Sequence, residues 1–220
     1  MSRIEYNPSL NDRVNGQLGD LGVEIQIPLS SIKELIVPPA PVAPYKVYTA
    51  LVTQSGESEF LGVNTGDLTI GISYQIIEND GTGWDFTNVG APNNNIGTWF
   101  VATGITPNSW GTNEGGDFGT LQYNIGAPTV TVLQNTIGNI WFTYNSVGYY
   151  YINSDNLFTL YKTVSLNDQT RCYSLSNSEF YNLIIQPDGP SLMQMFTKDD
   201  DNVDVNGMLL VKPIEIRVYN

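Results

Sequence analysis

From Tyr45 to the C-terminus, short apolar runs rich in β-branched and aromatic residues alternate with clusters of Gly, Pro, Asn and Asp, and no segment repeats on a helical period. The runs are Tyr45–Thr53, Leu68–Glu78, Thr98–Thr103, Thr129–Leu133, Asn139–Tyr144, Tyr149–Ile152, Phe158–Leu166, Glu179–Gln186 and Ile214–Tyr219. Breakers between them include Asn79-Asp80-Gly81, Pro92-Asn93-Asn94-Asn95, Gly115-Gly116-Asp117 and Pro187-Asp188-Gly189-Pro190. Strands closed by turn residues every ~8–12 residues predict an all-β chain, with an antiparallel β-sandwich or barrel-like body.

Charge narrows the classes of partner. Only 14% of residues are charged and the net charge is −13. No Lys or Arg occurs between Lys46 and Lys162, while nine Asp or Glu do. Such a surface repels phosphate backbones and anionic lipid, so neither nucleic acid nor membrane is an expected partner. No apolar run reaches the ~18 residues of a membrane span, so no membrane insertion is expected. The chain has no histidine, which removes the commonest general base and metal ligand. A single cysteine, Cys172, excludes an intrachain disulfide. Stability must then come from burial or from oligomerisation.

The first 38 residues differ from the rest. They hold few large apolar side chains and read as an extended arm, with one short helix candidate before Pro38 capped by Ser30 or Ser31, Glu34 being the capping-box partner three residues after Ser31. Ile25, Ile27, Leu29, Ile32 and Leu35 are its candidate attachment residues. Four prolines within 38–44 make a stiff connector over 39–44, and the β body follows over 45–220.

Several stretches of the body carry a resemblance. These are Pro44–Gly56, Asp85–Ala91, Ala102–Trp110, Pro128–Tyr144 and the C-terminal Ile214–Tyr219. Together they resemble virion appendage proteins of tailed bacteriophages: head-fibre, tail-fibre and baseplate-associated proteins of crAss-like and other phages that infect Bacteroidota. The usual form joins the first strand almost directly to the Pro128 region, so the resemblance implies that 57–126 is an inserted β subdomain. It implies a non-enzymatic structural protein on the virion exterior, with no cofactor and no catalytic residues. Its expected partners are other virion proteins, through the arm, and further copies of itself, in a homotrimer. Met1–Glu5 begins no signal-peptide core, so the expected route is synthesis in the host cytoplasm and delivery by assembly or lysis.

Three groups of residues invite chemistry. Asn202, Asp204, Asn206 and Gly207 follow the first half of a calcium-loop spacing. The first ligand is Asn and the twelfth position is Pro213, so a solvated turn competes with a weak calcium site. Asp80 with Asp85, or Glu57 with Glu59, offers a carboxylate pair of the kind glycoside cleavage requires, although turn residues explain them equally. The aromatics are the third group. Trp84 and Trp110 lie in Gly- and Asn-rich loops, and three consecutive tyrosines at 149–151 must present a ring to each face of a strand. Trp84, Trp110 and Tyr150 are therefore candidates for stacking on host-surface glycan, against core or interface roles for the same rings.

Overall fold

The structure is a computed structural model. It describes residues 43–77, 83–111, 121–166 and 180–220 in full, and the backbone alone of 5–6, 13–18, 23–28, 170–174 and 179. Two compact units divide it, Met1–Ala43 and Pro44–Asn220. Among the described residues there is no α-helix, and every strand pairing is antiparallel.

In the first unit, β1 (Glu5–Tyr6), β2 (Arg13–Leu18) and β3 (Val23–Pro28) form a small sheet in that order. Ile25 and Ile27 lie on β3. Leu29, Ile32, Leu35, the helix candidate and most of the proline connector lie outside the described residues.

The second unit is a sandwich-like all-β body. β4 (Tyr45–Thr53) alternates half-buried and buried residues from Val47 to Thr53, as a strand with one face on a core requires. It is followed by β5 (Phe60–Val63), β6 (Ser73–Ile76), β7 (Trp84–Asp85), β8 (Trp99–Val101), β9 (Ser109–Trp110), β10 (Leu121–Asn124) and β11 (Thr129–Asn135). Then come β12 (Ile140–Ser146), β13 (Tyr149–Ser154), β14 (Thr163–Ser165), β15 (Thr170–Ser174), β16 (Glu179–Pro187), β17 (Leu192–Asp199) and β18 (Lys212–Tyr219). One sheet runs β11-β4-β18-β14 and the other β12-β13-β17-β16-β15. The C-terminal strand β18 thus lies beside β4, in register from Lys212 against Val52 to Tyr219 against Tyr45.

Alternation fills the space between the two sheets. Tyr48, Ala50, Val52, Ile214, Ile216 and Val218 come from one inner face; Phe142, Tyr150, Ile152, Leu183, Ile185, Met193 and Met195 come from the other. Each buried side chain of this size contributes about 1.5–3 kcal/mol of transfer free energy, which offsets chain entropy without a disulfide.

A second core lies entirely between Leu68 and Leu121, around Tyr74, Ile76, Phe86 and Phe100. It belongs to the sheet β5-β10-β6-β8 and the ribbon β7-β9. The two ends of this segment run side by side: Ile125 N donates to Glu59 O at 2.9 Å, and Asn124 Nδ2 donates to Ser58 Oγ at 3.0 Å. Gln54, only 2% exposed, holds both ends. Its Nε2 donates to Gly56 O (3.0 Å) and Gly126 O (3.1 Å), and its Oε1 accepts from Gly207 N (2.6 Å). The segment also docks on the sandwich, through Val130 N donating to Gly71 O (2.9 Å) and Phe142 N donating to Ser73 Oγ (2.8 Å).

Two expected strands are shorter than the sequence predicts. In Leu68–Glu78 only Ser73–Ile76 is strand. Gly71 turns the chain at φ 89° against the Val130 backbone, which ends the ladder there. In Phe158–Leu166 only Thr163–Ser165 pairs, because Tyr161 takes a positive φ of 61°. β17, at the centre of the five-stranded sheet, is absent from the expected set. Its Met and Gln residues are weak strand formers, and its alternation shows only once Met193 and Met195 are buried.

Candidate binding surfaces

Trp84 and Trp110 come together. They are directly opposed on the β7-β9 ribbon, and both pack partly buried against the second core. Each indole N–H is already used: Trp84 Nε1 donates to Asn94 O (2.9 Å) and Trp110 Nε1 to Gly66 O (3.0 Å). Trp110 also meets the Phe86 ring edge-on at 5.3 Å. Both rings therefore brace the loops that carry them.

Asp85, next to Trp84, is the hub of that bracing. Its Oδ1 accepts from Thr87 N (3.0 Å), Thr87 Oγ1 (2.6 Å) and Asn94 Nδ2 (3.2 Å), and its Oδ2 accepts from Asn108 Nδ2 (2.9 Å). These donors, Thr87 foremost, hold its carboxyl far below the usual carboxylate range. A carboxylate kept ionised and fully engaged in this way is a loop clamp, not a proton donor. Its proposed partner Asp80 lies outside the described residues. Glu57 and Glu59 are both exposed.

Tyr150 is not available to a ligand. It is 0% exposed, and its hydroxyl donates to Asn206 Oδ1 at 2.8 Å inside the sandwich. Burial raises its hydroxyl well above the usual tyrosine range. Strand alternation places Tyr149 and Tyr151 on the opposite, outer face. The single inward ring of the three is therefore the one the sequence reading selected.

The 202–206 turn disperses its donors. Asn206 turns inward, accepting from Gly148 N (2.8 Å) as well as Tyr150, and donating through Nδ2 to Tyr144 Oη (3.2 Å). Asp204 pairs with Lys198 Nζ at 2.6 Å. Asp199, rather than any of the three, organises the turn by accepting from Asp201 N and Val203 N. Asn202, Asp204 and Asn206 do not converge on one cation.

The sandwich offers two outer faces instead. On the β11-β4-β18-β14 sheet, cross-strand register puts Val47, Leu51, Pro213, Leu166 and Val164 outward. Leu133, the extra residue of a bulge in β11, adds to them at 61% exposure; Leu166 is 52% exposed. A groove of about 380 Å³ opens on this face between Leu133, Thr49, Glu215 and Leu166. At its far end the Arg217 guanidinium lies 4.5 Å from the Tyr45 ring centroid, and Tyr45 packs on Tyr219. The other outer face, on the five-stranded sheet, is aromatic and amide-rich. A cleft of about 340 Å³ also lies where Gly90, Pro92 and Thr103 meet β11 and β12. Asn135 and Asn139 on its wall spend their amide N–H groups on Gly138 O, Trp99 O and Asp155.

No protein-family model matches this chain, and no curated protein and no solved structure matches it.

Proposed function

We propose that this chain is a structural protein of a tailed-phage virion, an arm-anchored fibre or decoration appendage on head, collar or tail, acting by burial and not by catalysis. The observation that carries the assembly role is a sheet with apolar residues on both faces. Inward, β4 and β18 fill the core; outward, Val47, Leu51, Leu133, Val164 and Leu166 face solvent in the isolated chain. Apolar side chains clustered on an exposed sheet face in this way suit an interaction surface. The virion setting rests on the resemblance of the 44–56, 85–110 and 128–144 stretches to phage appendage proteins.

The occupant of this face is a further copy of the chain, in a homotrimer. Charge favours that choice. In a chain of net charge −13, the charged groups that register turns outward on these four strands are Arg217 and Glu215, paired with one another at 2.6 Å, while Lys46 and Lys212 share the inward parity of Val218 and Val52. Repulsion between copies is therefore weakest here. Area allows it. The nine residues of β4 span about 30 Å and four strands about 19 Å, so three such faces turned toward a common three-fold axis bury at most on the order of 1,700 Å² in all.

Light scattering on the purified chain tests the assembly role. The expected mass is three copies, and Leu133→Glu with Leu166→Glu is expected to give a monomer with an unchanged circular dichroism spectrum. A monomeric wild type refutes self-assembly. Peptide mass spectrometry of purified particles tests the setting, since a virion protein must be present in them at stoichiometric level.

A further inference from the structure

We propose that the outer face of the five-stranded sheet binds a neutral polysaccharide, at a site distinct from the Trp84–Trp110 loops and independent of the assembly face. Register defines the site. Trp141 pairs with Asn153 and Thr143 with Tyr151 across β12-β13, Tyr151 pairs with Gln194 on β17, and Gln194 pairs with Gln186 on β16. Paired residues share a face, so one surface carries two rings, Trp141 and Tyr151, beside a row of amides. Asn153 Nδ2 donates to Thr143 Oγ1 (3.0 Å), Gln186 Nε2 to Gln194 Oε1 (2.9 Å), and Gln194 Nε2 to Asp188 Oδ2 (2.8 Å). These bonds fix the amides while leaving Asn153 Oδ1, Gln186 Oε1 and a second Gln194 N–H for a ligand.

The rings are not equivalent. Tyr149 stacks on Phe196 at 4.3 Å and 18°, so those two satisfy one another. Tyr151 meets Tyr149 edge-on at 5.0 Å. Trp141 has no ring partner, and its indole N–H has no acceptor among the described residues, in contrast to Trp84 and Trp110. Apolar ring faces next to fixed hydrogen-bonding amides suit a sugar ring, which has C–H on its faces and hydroxyls at its edge. An open face extending over five strands suits a chain of such rings better than a single small molecule.

Charge selects the class. Among the described side chains of this face the charged groups are Lys198, paired with Asp204, and Asp188, bonded to Gln194. Among the described side chains no free cation is there to hold a uronate or sulfate; Arg171, placed on this face by its register with Asn182, belongs to the edge strand β15, at the opposite edge of the sheet from Trp141 on β12, and the net charge of −13 opposes any polyanion. The ligand is an uncharged glycan.

Affinity electrophoresis of the full chain through gels containing dextran, mannan, galactan or xylan tests this, with alginate as the anionic control. At least one neutral polymer is expected to retard the wild type, and alginate is not. Trp141→Ala and Tyr151→Ala are each expected to weaken retardation at least ten-fold, while Trp84→Ala and Trp110→Ala leave it unchanged. Trp141 also packs against the core; Gln194→Glu, which keeps the side chain's size, therefore serves as the second variant, with urea midpoints confirming that all variants are folded. The proposal is overturned by no retardation in any neutral gel, by retardation in alginate alone, by binding that survives Trp141→Ala, Tyr151→Ala and Gln194→Glu, or by binding lost only in the Trp84 and Trp110 variants.

Discussion

Single residues show where this chain concentrates its polar stabilisation. Gln54 is buried and uses both amide atoms to hold the two ends of the 57–126 segment and the Gly207 turn. Gln54→Leu leaves two carbonyls and an N–H unpaired, so a loss of about 2–4 kcal/mol is expected from urea unfolding. Tyr48 is the converse case. It is 1% exposed, and its hydroxyl finds no hydrogen-bond partner among the described residues. Tyr48→Phe removes that unsatisfied group and keeps the ring against Phe142, so a gain of about 1 kcal/mol is expected, seen as a higher urea midpoint with the same slope. Asp85 gives a pH signature. Its folded carboxyl lies below the ordinary 3.8, so its clamp is fully present above that pH and is lost as pH falls toward the folded value. An NMR carboxyl titration is expected to find Asp85 still ionised at about pH 3, where unclamped carboxylates are protonated.

At the scale of elements, close backbone approach decides how the 57–126 segment seats. Gly71 adopts φ 89°, and a Cβ there would run into the Val130 carbonyl of β11. Gly71→Ala combines an unfavourable conformation with a backbone clash and is expected to cost at least about 2 kcal/mol in calorimetry. It should disturb the Val130–Gly71 contact first, visible as faster amide exchange at Val130 than at Ile216. Tyr149–Ser154 illustrates what sequence period can and cannot say. A period of two separates Tyr150 from Tyr149 and Tyr151. The choice of inward ring depended on Asn206, 56 residues further on, closing over Tyr150 together with Tyr144, its partner across the β12-β13 hairpin. β17 was illegible for a related reason: its Met and Gln residues carry little strand propensity, and pairing with β13 and β16 supplies what propensity lacks.

For the whole molecule, the separation at Ala43 and Pro44 sets the test of attachment. Both core clusters fall within 44–220, so deletion of 1–38 is expected to leave a soluble body with unchanged urea midpoint. In phage particles the truncated chain is expected to be absent by mass spectrometry; normal incorporation would remove the arm from the attachment mechanism. Self-assembly through the outer β11-β4-β18-β14 face predicts a trimer for this body as well, because the face lies wholly beyond residue 44.

The amino-acid sequence by itself determined the all-β class, since β-branched and aromatic runs cut by Gly, Pro, Asn and Asp cannot sustain a helix. It located β4 to the residue and most of β11, β12, β16 and β18, where propensity and alternation agree. Tertiary structure alone decided that β18 returns beside β4, that Gln54 holds both ends of the 57–126 segment, and which side of each strand faces inward. The physical reason is common to all three. Alternation fixes two faces on every strand, and only the partner that buries one of them leaves the other free to bind.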